Sequence, residues 1–183
     1  MNNQNNLFPL SQDQKIIDYI FGGNALITVR NEDSKNRFTF KIKKCKNPKA
    51  IKIDLYWVLV LTMPDNNDEK SYKFIGALSR EEGFRHSDKS YIKDNAKSVN
   101  VAYYYFNRLL GYSKFKLHDN IRTYHMGYCG RCGRLLTVPE SIDSGFGPEC
   151  STLLNIPHEV REAEFKNTLF EQNYRGTEDY QIK

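Results

Sequence analysis

The sequence predicts an α+β protein: a small antiparallel sheet with a covering helix, followed by a zinc-knuckle module and a C-terminal helix. Three observations predict it. Apolar residues alternate with period two between residues 25 and 78. One strongly helical stretch begins at Ser98. Three of the four cysteines crowd into residues 129–150. A chain of 183 residues has room for one ordinary domain and a small metal-held unit.

The first ten residues are polar and Asn-rich and read as a loose arm. A short helix follows. Ser11 and Gln14 have capping-box spacing, Ile16, Ile17, Ile20 and Phe21 form an apolar stripe, and Gly22-Gly23 ends it. Four strands come next. Ala25 to Arg30 is the first. Arg37 to Lys44 alternates cleanly, with Phe38, Phe40 and Ile42 opposite Thr39, Lys41 and Lys43. Asp54 to Thr62 is almost wholly apolar and reads as a central strand buried on both faces. Ser71 to Leu78 is the fourth, after the turn-rich PDNNDEK. From Ser98 the period changes: Val99, Ala102, Tyr103, Phe106, Leu109 and Leu110 recur at helical spacing, with Gly111 as the stop. Three consecutive tyrosines, 103 to 105, cannot all face inward on that helix.

These elements divide the chain into an α+β domain (1–112), a connector with some strand character (113–124), a zinc-binding module (125–155) and a C-terminal helix and tail (156–183). The last helix is expected from Pro157 to about Asn173, with Glu159, Glu162 and Glu164 at its positive end.

Composition narrows the function classes. Aromatics make up 13% of the chain, enough to build a core where total apolar content is only 39%, so full disorder is excluded. Mean hydropathy is −0.66 and no apolar run approaches a membrane span. The start MNNQNNLFPL lacks the basic and apolar regions of a secretory leader, so a cytoplasmic protein is expected. Charge is uneven: residues 1–124 hold 21 basic and 13 acidic side chains, residues 125–183 hold 6 and 9. Nothing matches a Walker motif, a dinucleotide fingerprint, a nucleophile elbow or a paired-carboxylate site, so no enzyme is expected.

The densest chemistry lies in His125-x3-Cys129-x2-Cys132-x17-Cys150. A C-x-x-C-G turn aims two thiolates at one point, and its glycines let backbone N–H groups approach sulfur. Cys150 follows Gly-Phe-Gly-Pro, which presents it at a turn or helix start. Zinc takes four ligands. His125 is the nearest candidate for the fourth, His158 and His118 are others, and water is the last. A redox C-x-x-C belongs in a βαβ setting, and a catalytic deaminase-type zinc needs an H-x-E before P-C-x-x-C. The sequence has neither.

The string CGRCGRLLTVPESIDSGFGPEC resembles the C-terminal segment of an uncharacterised family common in phage and prophage genomes, of the pattern H-x3-CGRCGR-x-LT-x-PES-x5-G-x-GP-x-C. The likeness covers His125 to Cys150. It extends more weakly to GGNALITV, RFTFKIKK, KFIG and SVNVAYYYFNRLL. It implies zinc held by His125, Cys129, Cys132 and Cys150 in a phage-derived protein working in a bacterial cytoplasm. It implies no activity.

Lys35 to Lys52 carries eight basic residues and no acid. Lys41, Lys43, Lys44 and Lys46, with Arg131 and Arg134 beside the knuckle, are candidate contacts to the phosphates of a nucleic acid. The alternative partner is a host protein complex, for example a defence complex that the protein inhibits. Lysines and arginines converging on one face favour nucleic acid; an exposed apolar patch favours a protein.

Overall fold

The computed structural model describes residues 7–46, 54–65 and 67–156. Its centre is one seven-stranded antiparallel sheet in the order β1-β7-β2-β3-β4-β5-β6. The strands are β1 (Phe8–Leu10), β2 (Asn24–Asn31), β3 (Arg37–Lys44), β4 (Tyr56–Leu61), β5 (Tyr72–Ser79), β6 (Gly83–His86) and β7 (Ile121–His125). The helices are α1 (Asp13–Ile20), α2 (Lys97–Leu109), α3 (Pro139–Ser144) and α4 (Pro148–Leu153). The α+β class with an antiparallel sheet is as the sequence predicts. The expected helix from Pro157 and His158 lie outside the described residues.

One face of the sheet carries the core. Ala25, Ile27, Val29, Phe40, Ile42, Val58, Val60, Ile75 and Leu78 project from it, and α1 and α2 cover them. The six largest fully buried side chains, Tyr19, Tyr105, Phe40, Phe84, Phe106 and Phe146, are all aromatic, which is how a chain of modest apolar content closes a core. Of the three consecutive tyrosines only Tyr105 is fully buried, and its hydroxyl meets Thr123 Oγ1 at 2.6 Å.

Four expectations need correction. Ser11 does not cap α1; Gln12 is the N-cap, in extended backbone and without a side-chain bond, and Gln14 instead binds Asp18 at 2.8 Å. Part of the expected loose arm is β1, paired to β7. The strand character expected of the connector is present as β7, which lies between β1 and β2, but the boundary placed at 125 cuts that strand. The segment 113–124 therefore returns the chain to the sheet, and His125, the first residue assigned to the zinc module, is the last of a central strand. Finally, β4 is not buried on both faces. Tyr56, Val58 and Val60 face the core, while Trp57, Leu59 and Leu61 share the opposite face, where Trp57 is 37% exposed.

That opposite face bears no described helix. Registers place its side chains in cross-strand rows. Asn24, Lys43, Trp57, Ala77 and Arg85 form one row, and Leu26, Lys41, Leu59 and Phe74 the next. Tyr124, Thr28 and Thr39 follow, then Arg122, Arg30 and Arg37.

Candidate metal centre and the uncovered sheet face

The cysteine module is built on α1. Tyr19, from the buried face of that helix, stacks against His125 at 5.2 Å and Phe146 at 5.8 Å, and its hydroxyl donates to the Tyr128 carbonyl at 2.8 Å. Glycines in the motif follow from this contact. A Cβ at Gly130 would stand 2.8 Å from Tyr19 Cδ2, and Gly145 packs on the same ring with φ +77°. On the α1 side, a Cβ at Gly22 would meet Phe146 at 2.7 Å. The turn Cys129–Gly133 is closed by Gly133 N–H to the Cys129 carbonyl (2.9 Å) and Cys129 N–H to the Arg134 carbonyl (2.8 Å). The Asn24 N–H bonds the Gly130 carbonyl at 2.7 Å, fastening the turn to the start of β2.

This scaffold brings Cys129, Cys132 and Cys150 together, their sulfurs all within 4.8 Å of one another. Four-coordinate zinc with Zn–S bonds of about 2.3 Å needs sulfurs about 3.8 Å apart, so the cluster fits a metal ion. Cys150 comes from the first turn of α4, after the Gly147-Pro148 start. Burial raises the Cys129 thiol, but the backbone N–H groups of Cys132, Gly147 and Arg131 outweigh it and hold the thiol below its ordinary value. Cys150 goes the other way, to about 11: burial raises it, the Cys129 and Cys132 sulfurs add to that, and only Arg131, with Nη1 3.9 Å from Sγ, opposes them. Three thiolates at this spacing need a cation among them.

His125 is not in the cluster. Strand alternation sends Thr123 and His125 to the buried face, and the imidazole lies between Phe8 (5.5 Å) and Tyr19, fully buried. Nδ1 accepts the Gly127 N–H at 3.3 Å, and Nε2 has no hydrogen-bond partner. The expected His125 ligand is thus replaced by a core histidine. Burial lowers its pKa to about 4, against the opposing influence of the Ile142 carbonyl and Asp143. His118 is exposed, at the rim of a cavity of about 610 Å³ between α2 and the sheet.

The candidate phosphate contacts separate. Lys41 and Lys43 lie together on the uncovered face, both paired to Glu69, with Lys41 also 4.9 Å above the Tyr72 ring. Glu69 belongs to a 3-10 turn whose start is held by Asp68 accepting from Lys70 N–H. These pairs hold the Glu69 carboxyl below its usual range, Lys41 contributing most. Lys44 points to the other face and pairs with Asp54 at 2.9 Å, so it leaves the expected strip. Lys46 is exposed beyond the strand end. Arg131 turns to Cys150, and Arg134 is exposed on the knuckle, so neither joins the β3 lysines in any described contact. The arginines that do share the lysines' face are Arg85, at the far end of the Lys43 row, and Arg30, Arg37 and Arg122. Their signal in the sequence was their alternation phase, which only the strand registers connect.

Residues 123–154 match the model of a family of unknown function, DUF6011. The matched stretch runs from the last three residues of β7 through the knuckle, α3 and α4, and so contains all three clustered cysteines. No curated protein and no solved structure matches the chain.

Proposed function

We propose that the chain is a small phage-type accessory protein that binds nucleic acid through the uncovered sheet face, with zinc as a structural clamp and no catalytic role. The observation that carries this reading is the cross-strand pair of Lys43 with the exposed Trp57, on a face whose other end bears three arginines. An ammonium beside an exposed indole offers a phosphate contact and a stacking surface together. Three sulfurs at a turn joined to α1 by Tyr19, two of them on buried cysteines, suit a clamp. A bacterial cytoplasm suits reduced thiols, and no helix among the described residues is long and apolar enough to cross a membrane.

The test is a fluorescence-anisotropy titration of labelled single- and double-stranded DNA and RNA at low salt. Lys43→Glu should weaken binding to every sequence alike, because phosphate contacts position without reading bases. No binding at about 10⁻⁵ M protein would refute the reading.

A second reading, a protein-binding effector directed at a host complex, is favoured by Leu135, Val138 and Leu153. These module residues are 63%, 50% and 64% exposed. A partner recovered by the parent protein and lost with Leu153→Asp would support it.

A further inference from the structure

Arg122, Arg30 and Arg37 stand abreast on β7, β2 and β3, in direct register. Adjacent strands are about 4.8 Å apart, and like charges directly opposite one another destabilise a sheet. Compensation is thin. Glu32 Oε2 is 3.6 Å from Arg30 Nε, and that carboxylate also accepts the Tyr124 hydroxyl and pairs with Lys35. Arg122 Nη1 donates to the Asp119 carbonyl at 2.6 Å, a bond that leaves its charge unpaired. Among the described residues neither Arg122 nor Arg37 has a salt bridge, and both are exposed. Like charges set abreast with so little compensation suit a ligand of opposite charge.

The row is one end of a longer strip. Along β2, Arg30 lies six positions beyond Asn24, whose row contains Lys43 and Trp57, a distance of about 20 Å. Between these rows Thr28 and Thr39 are bonded at 2.9 Å, and Leu26, Lys41, Leu59 and Phe74 form a row, with Phe74 edge-on to Trp57 at 5.6 Å. Cations thus mark both ends of a partly aromatic surface, with Lys41 between them held by Glu69. Among the described residues no helix or ribbon projects from this face to enter a duplex groove, whereas unpaired bases can lie on such a surface with their phosphates at the cationic ends.

We propose that the row Arg122–Arg30–Arg37 is a second phosphate-binding site, holding a single-stranded nucleic acid whose other end lies over Trp57 and Lys43. The inference rests on the nucleic-acid reading above, and its test separates the two.

Trp57 is the only tryptophan in the chain, so its fluorescence reports on one end of the strip alone. The full-length, zinc-loaded protein is titrated with a twelve-residue oligodeoxythymidine and with a twelve-base-pair duplex at several salt concentrations. The parent should bind the single strand more tightly than the duplex and show Trp57 quenching. The double variant Arg37→Gln/Arg122→Gln should lose about tenfold in affinity and flatten the log–log salt slope by about 1.4, at about 0.7 per phosphate on single strands. It should still show Trp57 quenching at saturation, and its melting temperature should hold or rise. Unchanged affinity and slope in the double variant, with quenching intact, would overturn the second site while the nucleic-acid reading stands. Equal or tighter duplex binding would overturn the single-strand assignment. A lowered melting temperature would assign the arginines to the fold and overturn the inference. Absence of all oligonucleotide binding by the parent would remove the reading itself.

Discussion

Tyr19 donates its hydroxyl to the Tyr128 carbonyl at 2.8 Å, joining α1 to the residue that precedes Cys129. The two positions are 109 residues apart in sequence, and the bond sits where helix, sheet and cysteine turn meet. Tyr19→Phe keeps the ring and loses the bond, leaving a part-buried carbonyl without its partner. The expected loss is about 1 kcal/mol. Gly130→Ala should cost more, about 1–3 kcal/mol by overpacking, because the new methyl would lie 2.8 Å from Tyr19 Cδ2 and 3.0 Å from the Tyr19 carbonyl. Urea unfolding of both variants checks the order. A Gly130→Ala protein as stable as the parent would refute the packing.

The thiol cluster and His125 should separate in a metal assay. The sequence pattern predicts that His125→Ala weakens metal binding more than His158→Ala, but the burial of His125 between Phe8 and Tyr19, outside the thiol cluster, removes the basis for that order. Cys129→Ser should lose most of about one equivalent of zinc, and His125→Gln should retain it. Elemental analysis of protein purified under reducing conditions decides this. Metal loss in His125→Gln equal to that in Cys129→Ser would return the histidine to the ligand set.

Much of this site is written in the sequence, and what is not has a physical reason. The spacing Cys129-x2-Cys132 and the Gly-Pro before Cys150 announce the cluster because a tight turn and a helix start are local devices. His125 misleads because it is close in sequence to Cys129 yet belongs to β7, where alternation with Thr123 sends it into the core. Arg37 to Lys44 is read correctly because one of its faces is buried and the other is not. β4 is misread because Trp57, Leu59 and Leu61 look like a second buried face; they partly cover one another, with Phe74 against Trp57, on a face that no described helix covers. Strands β1 and β6 have three and four residues, too few to show a period. Both owe their place to partners across the sheet.

His125 should make the fold acid-sensitive. Its pKa is about 4 when folded, against 6.5 as the ordinary value. Between these values the unfolded chain binds a proton that the folded chain does not. Stability is therefore fully present above about pH 6.5 and falls as the pH drops towards 4, by about 3 kcal/mol in total. His125→Gln should lose that component of the pH dependence. Parallel stability profiles for parent and variant from pH 7 to pH 4.5 would count against it.

Glu69 occupies both lysines of the proposed phosphate strip, and its carboxylate stands where a phosphate oxygen would bind. On the nucleic-acid reading the ligand must displace it. Glu69→Gln should then tighten oligonucleotide binding, by about fivefold if the two exposed pairs are together worth up to roughly 1 kcal/mol. Anisotropy at low salt measures it. Weaker binding by Glu69→Gln would mean that the carboxylate positions the lysines for the ligand rather than competing with it.

The place of β7 decides whether the first part of the chain can stand alone. By its sequence, 1–112 reads as a complete domain and the zinc module as an appendage. In the sheet, β7 pairs with β1 on one side and with five residues of β2, Ile27 to Asn31, on the other. A chain ending at residue 112 would lose every β1 pairing and expose the central strand β2 as an edge. It would also remove Thr123, which holds the buried Tyr105 hydroxyl, and the ring of Phe146 from Tyr19. Unpaired backbone groups on a long edge favour aggregation, and a buried hydroxyl without its partner costs about 1–3 kcal/mol. The fragment 1–112 should therefore give poorly dispersed amide spectra and aggregate, whereas 1–156 should give native dispersion once loaded with metal. A folded, monomeric 1–112 fragment would show that β1 and β2 close the sheet without β7.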